Sequence, residues 1–155
     1  MSDINSELID TYRAVRDEVE EVIRILRTHP HDEKHYYWLR SIDPATLRPA
    51  QRAARMIYLN KTCYNGLWRV NSKGHFNVPV GRYTNPAILD EPRLRAASAA
   101  LQGVDLCVQD FEAVVKQAGP GDFVYFDPPY VPLSDTANFT SYAANNFGMW
   151  EQKKL

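Results

Sequence analysis

The residues with the most chemistry to offer lie in one run, Phe123-Val124-Tyr125-Phe126-Asp127-Pro128-Pro129-Tyr130. A continuous apolar and aromatic stretch reads as a buried strand of a parallel sheet. The two prolines that follow cannot continue a ladder. Asp127 is therefore predicted at the carboxyl end of a strand, the edge at which open α/β sheets bind their ligands. An ionised carboxylate only accepts hydrogen bonds, and Pro128 and Pro129 remove two N–H groups while keeping their carbonyls. The result is a cluster of acceptors beside the flat face of Tyr130, suited to an exocyclic amine on a planar heterocycle. Stacking on such a face is worth about 1–3 kcal/mol per base in nucleic-acid sites. The plainer alternative is a strand, a rigid turn and an incidental acid.

A second stretch carries charge and aromatics. Asn60 to Ile88 contains no Asp or Glu, and Lys61, Arg69, Lys73 and Arg82 are spread along it. The net charge of the 155-residue chain is −1, so a nucleic-acid-binding surface has to be local, and this is the place for it. Asn71-Ser72-Lys73-Gly74 suits a turn, predicting a hairpin between Leu67–Val70 and His75–Val78. An exposed hairpin without a ligand is the alternative.

Together these motifs resemble a known family. Asp-Pro-Pro-Tyr after an aromatic strand is similar to the catalytic motif of amino-methyltransferases acting on adenine or cytosine in DNA. Tyr58-Leu59-Asn60-Lys61-Thr62-Cys63-Tyr64-Asn65-Gly66-Leu67-Trp68-Arg69-Val70-Asn71, continued by Phe76-Asn77-Val78-Pro79-Val80-Gly81-Arg82-Tyr83, resembles the DNA-contacting region of Dam-type adenine-N6 methyltransferases. The two motifs stand in the family's order, and the resemblance runs from about Asp3 to the last residues.

The resemblance implies an α/β fold. This would be part of a Rossmann-like, S-adenosyl-L-methionine-dependent methyltransferase domain with an inserted DNA-recognition subdomain. Residues 1–40 and 104–155 would belong to the catalytic domain and 41–103 to target recognition. It implies methyl transfer from S-adenosyl-L-methionine to the N6 amine of adenine in double-stranded DNA, with the tetranucleotide GATC as target. The base must leave the stack to be reached. Asp127, Pro128, Pro129 and Tyr130 would form the catalytic loop. Asp3, Asp110, Phe111 and Asp127 would face the cofactor, with Asp3 accepting from ribose hydroxyls. Tyr64, Asn65, Leu67, Arg69, Lys73, Asn77, Pro79 and Arg82 would contact DNA. Arg69 and Arg82 can make bidentate contacts to guanine, and Tyr64 and Asn65 stand where a wedge would help extrude the base. No metal is required, because a sulfonium already activates its methyl group. On sequence alone, Asp3 is equally an exposed acid near a helix start, and Asp110 a cap for the next helix.

The elements that must position these groups follow from patterning. Asn5 is a good N-cap, and Leu8, Tyr12, Val15, Val19, Val22 and Leu26 give an amphipathic helix ending before His29-Pro30. It would pack on its own domain, although a short coiled coil fits the same spacing. His31 and His35 are four apart without the metalloprotease pattern and read as a loop or helix start. Helices are further predicted over Ala50–Leu59, from Asp90-Glu91-Pro92 to before Gly103, and from Gln109-Asp110-Phe111 to about Lys116. A strand is predicted at Val104–Val108, and alternation of helix and strand indicates a parallel sheet.

Composition is ordinary for a globular protein, 45% hydrophobic and 24% charged. Cys63 and Cys107 lie far apart, with no metal-ligand spacing, as in a reducing compartment. No apolar run reaches membrane-spanning length, so the expectation is a cytoplasmic protein, prokaryotic or phage-encoded, without a membrane partner.

The family's glycine-rich cofactor motif has no counterpart in these residues. The expectation is therefore an internal piece of a longer enzyme, poorly active alone and prone to associate with another chain. A DNA-binding remnant without turnover is the competing reading. Methylation of a protein or RNA amine ranks last, because it leaves Tyr64–Arg82 unexplained.

Overall fold

A computed structural model describes residues 1–127. The order is β1 (Ser2–Asp3), α1 (Ser6–Leu26), α2 (Glu33–Ser41), a 3-10 turn at Pro44–Thr46, α3 (Pro49–Thr62), a second at Tyr64–Gly66, α4 (Glu91–Ala100), β2 (Cys107–Val108) and α5 (Phe111–Gln117). The helix starts are where their caps predict. Asn5 caps α1 by accepting from Leu8 N–H, Asp32 caps α2 at His35, and Asp90 caps α4 at Arg93. Pro49 occupies the first turn of α3, where its missing N–H costs nothing.

The apolar stripe of α1 is satisfied within the chain. α1 lies along α3, with α4 against its other flank. Ala14, Val22 and Leu26 from α1, Tyr36 and Leu39 from α2, and Ala53, Ala54, Tyr58 and Leu59 from α3 form one core, closed by Phe76 and Val78 of the hairpin. This core is continuous across residue 40. Small residues on the inner face of α3 let α1 approach closely. Tyr36 and Tyr58 fill the space beyond them and satisfy their hydroxyls on the carbonyls of Val78 and Pro30.

A charged network runs through the same interface. Arg55, only 2% exposed, donates Nε to the carbonyl of Leu39, Nη2 to that of Arg40 and Nη1 to Glu7 Oε1 at 2.8 Å. One guanidinium thus closes the C-terminal turn of α2 and ties it to α1. Burial pushes the Glu7 carboxyl up and the Arg55 guanidinium down, against the attraction between them. Nearby, Arg52 binds Asp10 at 2.7 Å and the carbonyl of Pro44.

The histidines lie at a loop and a helix start, as their sequence suggests. His35 sits in the first turn of α2 and meets His29, with Nδ1 and Nε2 2.9 Å apart. Burial, then the neighbouring His35, drives His29 down to about 4, so it is neutral at neutral pH. Tyr58 and Trp38 pack on these rings.

The sheet is small and parallel, but β2 pairs with Ser2–Asp3, where no strand was expected, and not with the run before Asp127. Ser2 pairs with Cys107 and Asp3 with Val108. β2 is shorter than the expected Val104–Val108, because β1 offers only two residues to pair with. Residues 104–106 are held instead by α1, through Arg16 on the Val104 carbonyl and Arg13 on that of Leu106.

The apolar run before Asp127 departs from expectation. Residues 122–127 carry neither helix nor strand, and Phe123 and Tyr125 are 90% and 77% exposed. Strand propensity in such a run needs a ladder partner, and the β1–β2 pair does not reach it. Its alternation survives, since Val124 and Phe126 are the less exposed residues and Phe126 meets Phe111 edge-on.

Removing the Arg55 guanidinium would take one donor from the Leu39 carbonyl and the Nη2 donor from the Arg40 carbonyl, and leave Glu7 charged and largely buried. Arg55→Ala should destabilise the chain by about 3–5 kcal/mol, read from the urea midpoint, with Glu7→Gln in the same background recovering part of the loss. A change below 1 kcal/mol would show that the network is not what joins α1, α2 and α3.

Candidate nucleic-acid interface

Residues 60–83 form a single unit anchored to the end of α3. Cys63 is buried and bridges antiparallel to Val80, Gly81 N–H binds the carbonyl of Thr62 at 2.8 Å, and Tyr64 N–H binds that of Pro79 at 2.9 Å. Between them the chain makes a tight turn, Tyr64–Gly66, in which Asn65 takes φ 53° and Gly66 φ 62°. Asn tolerates that left-handed conformation better than most residues. Asn60 fastens the turn through its amide N–H to the carbonyl of Gly66. Tyr64 is presented outward beside Pro79, half exposed.

The hairpin follows. Val70 pairs with Phe76, Asn71 N–H binds the carbonyl of His75, and Asn77 N–H binds that of Arg69. Strands 67–70 and 75–78 would leave four loop residues, but the structure has five, 71–75. Asn71 causes the difference: its Oδ1 accepts from both Lys73 and His75 N–H, with Gly74 at φ 78° closing the turn. The register places Arg69 opposite Asn77. Alternation then sends Trp68, Val70, Phe76 and Val78 inward, and Arg69, Asn71, His75 and Asn77 outward.

The frame below is stiff. Tyr36 Oη and Arg40 Nη1 both donate to the Val78 carbonyl at 2.9 Å. These two α2 residues were not identified from sequence, since nothing local marks a donor for a strand 38 and 42 residues away.

Among the expected DNA contacts, the structure brings Tyr64 to Pro79 and Arg69 to Asn77, with Lys73 at the exposed hairpin tip and Leu67 at the base. Arg82 is exposed just past Gly81.

The expected cofactor residues meet at the carboxyl edge of the sheet. Asp3 ends β1, its carbonyl accepts from Gln109 N–H, and Asp110 and Phe111 follow β2 immediately. Asp3 Oδ1 accepts from Asn5 N–H at 2.7 Å, and burial nevertheless raises its carboxyl. Asp110 caps α5 through Glu112 N–H, the role that its position before a helix allowed. Asp127 is exposed next to Phe126, which reaches Phe111. Pro128, Pro129 and Tyr130 lie outside the described residues. A cleft of about 370 Å³ opens between the end of β1 and the hairpin, lined by Ile4, Ser6, Glu7, Trp68 and Val70 among others. The Trp68 indole N–H is buried there without an acceptor among the described residues. Among the described residues no cluster of three or more His, Cys, Asp or Glu could hold a metal ion, and no helix is long and apolar enough to cross a membrane.

Residues 1–155 match the family described as D12 class N6 adenine-specific DNA methyltransferase. The chain belongs to that family. Named relatives agree. Type II methyltransferase M1.LlaDCHI of Lactococcus lactis subsp. cremoris is 44% identical across all of this chain, which covers 57% of the relative. Type II methyltransferase M.MjaIII of Methanocaldococcus jannaschii is 41% identical, with 58% of it covered. The DNA adenine methylase of Serratia marcescens is 39% identical, again with 58% covered. This D12-class chain therefore spans somewhat over half the length of the curated relatives it matches.

One packing feature fixes the interface more than its charges do. A Cβ on Gly81 would fall 2.7 Å from the carbonyl oxygen of Cys63 and 2.5 Å from the Tyr83 ring. The ring can swing away, but the backbone oxygen cannot move without loosening the Cys63–Val80 bridge. Gly81→Ala should therefore lower stability by about 1–3 kcal/mol in urea unfolding. A variant as stable as the parent would mean that the strand returning to α3 adjusts freely.

Proposed function

We propose that this chain is the recognition and catalytic-loop portion of an enzyme that methylates the N6 amine of adenine in duplex DNA. The methyl donor would be S-adenosyl-L-methionine. The observation that carries the reading is the 60–83 unit, an acid-free surface with cations and amides outward, apolar side chains inward, and an aromatic presented on a fixed turn. In this reading residues 1–40 and 104–155 would serve catalysis and 41–103 recognition, as roles carried on one core that is continuous across residue 40.

Each residue has a role that its chemistry allows. Lys61 and Lys73 are free to meet phosphates, which supply affinity without sequence information. Arg69 and Arg82 would read guanine edges, and Leu67 and Pro79 offer apolar contact. Tyr64, with Asn65, would fill the place of an extruded base. GATC is the target this reading favours. The remaining carboxylate oxygen of Asp3 can accept from a ribose hydroxyl, and Asp110 and Phe111 stand beside it at the same sheet edge. That donor and acceptor set fits an adenosine group. The bound donor would supply an activated methyl group. The chain's part would be to orient the amine: Asp127 and the carbonyl that follows would accept hydrogen bonds from its N–H groups, turning its lone pair to the methyl donor, and Tyr130 would hold the ring by stacking. An exposed Phe123–Tyr125 run favours a second reading, DNA binding without turnover.

DNA binding is tested by anisotropy titration of residues 1–155 on GATC and permuted duplexes. Arg69→Ala should lose about 1–3 kcal/mol of discrimination at one base position. Lys73→Ala should weaken all duplexes alike and reduce the salt slope by about 1. Equal effects of both changes on every duplex would refute base reading by Arg69.

Turnover is tested in a chimera in which these residues replace their counterpart in the Serratia marcescens relative. Methyl transfer to adenine, read by mass spectrometry, should fall about 10²–10³-fold on Asp127→Ala. A chimera without activity would favour the binding-only reading, and an active one indifferent to Asp127 would remove that residue from the mechanism.

A further inference from the structure

Arg69 is held unlike most arginines of this chain. Nine other arginines among the described residues are ion-paired with carboxylates. Arg69 instead donates Nε to the side-chain oxygen of Asn77 at 2.8 Å. The same two residues are joined through the backbone, where Asn77 N–H binds the Arg69 carbonyl at 3.1 Å. Two bonds across one register position fix the guanidinium relative to the strand beneath it. Both residues are on the outward face of the hairpin, and the face is free of acids from Asn60 to Ile88.

We propose that Asn77 is a positioning residue for base specificity, holding Arg69 by Nε so that its two terminal nitrogens project as a fixed end-on fork. The proposal rests on the reading of Arg69 as a guanine reader given above.

A guanidinium has five N–H donors in a rigid plane. It can grip O6 and N7 of guanine side-on, through Nε and one Nη, or end-on, through both Nη atoms. With Nε committed to Asn77, only the end-on pair remains. The choice of amide over carboxylate also matters. An acid at position 77 would hold the same nitrogen more strongly but would cancel the charge that draws Arg69 to DNA. Asn77 supplies the acceptor and leaves the charge whole. Its own amide N–H groups stay available to an acceptor on a neighbouring base.

The test is selection from a randomised duplex library by residues 1–155, comparing the parent with Arg69→Ala, Asn77→Ala, Asn77→Asp and the double alanine variant. The parent should select guanine at one position and Arg69→Ala should lose it. Asn77→Ala should cut the guanine preference at that same position at least fivefold, a larger loss than it causes in binding to unselected duplexes. The double variant should lose no more than Arg69→Ala does. Asn77→Asp should keep the preference and bind every duplex more weakly. A parent and Arg69→Ala that select alike would refute base reading itself. If Arg69→Ala loses the guanine and Asn77→Ala keeps it, or if Asn77→Ala weakens all duplexes equally, the positioning role falls while base reading stands. Should Asn77→Ala not fold, hydrogen exchange in the parent decides: the Arg69 Nε proton must exchange more slowly than that of Arg82. Equal exchange would overturn the proposal.

Discussion

The structure depends on a cation taken out of water. Arg55 sits where three helices meet, and each of its bonds ends a problem that packing alone would leave open. The last turn of α2 leaves carbonyls short of partners; Leu39 has only a long bond from Ile42 N–H, and Arg55 supplies N–H groups to it and to Arg40. Glu7, drawn into the same interface, receives a third. Desolvating both charges is expensive, and the opposite pKa directions of the pair record that cost. What the arrangement gains is orientation. With α2 fixed against α1 and α3, Tyr36 and Arg40 are aimed at one carbonyl, that of Val78. The hairpin is therefore positioned by a chain of hydrogen bonds that begins at the α1–α3 interface, rather than by its own short ladder.

A two-stranded hairpin is marginal by itself in water, which explains why so little of residues 60–83 is regular strand. Its inner face is covered by the helical core, and its ends are pinned at Gly81–Thr62 and Tyr64–Pro79. Rigidity of this kind has a consequence for recognition. A side chain that reads a base edge is only as specific as its anchorage; the hairpin is anchored by backbone bonds, and Arg69 on it by the Asn77 side chain.

Much of this was legible in the sequence because the signals were local. Asn5 and Asp90 announce helix starts by their own side chains, Gly103 ends a helix in a left-handed turn, and Asn71-Ser72-Lys73-Gly74 announces a reversal. The hairpin's extra loop residue was not legible, because it follows from the two hydrogen bonds that Asn71 Oδ1 accepts. Nor was the role of Arg55, whose partners lie between 15 and 48 residues away. The strand expected at Phe123–Phe126 fails for a related reason. Apolar character is a property of the segment, but a ladder is a property of a pair. Asp110 and Phe111 were legible as residues following a strand, whereas the two-residue strand ending in Asp3 was too short to show in the sequence and is defined only by its pairing with β2.

Charge is segregated by the same logic. The acids of the described residues sit on helices, at caps and in their connections, where arginines neutralise many of them, while none lies between Asn60 and Ile88. A net charge of −1 therefore describes the average and no part of the surface. Attraction over a Debye length of about 8 Å at physiological salt is set by what lies within that distance, so a polyanion approaching the hairpin meets cations without their counterparts. The neutral acceptor of Asn77 fits this segregation. Arg52 and Arg55, which join helices, are met by carboxylates, whereas Arg69 on the acid-free hairpin is met by an amide.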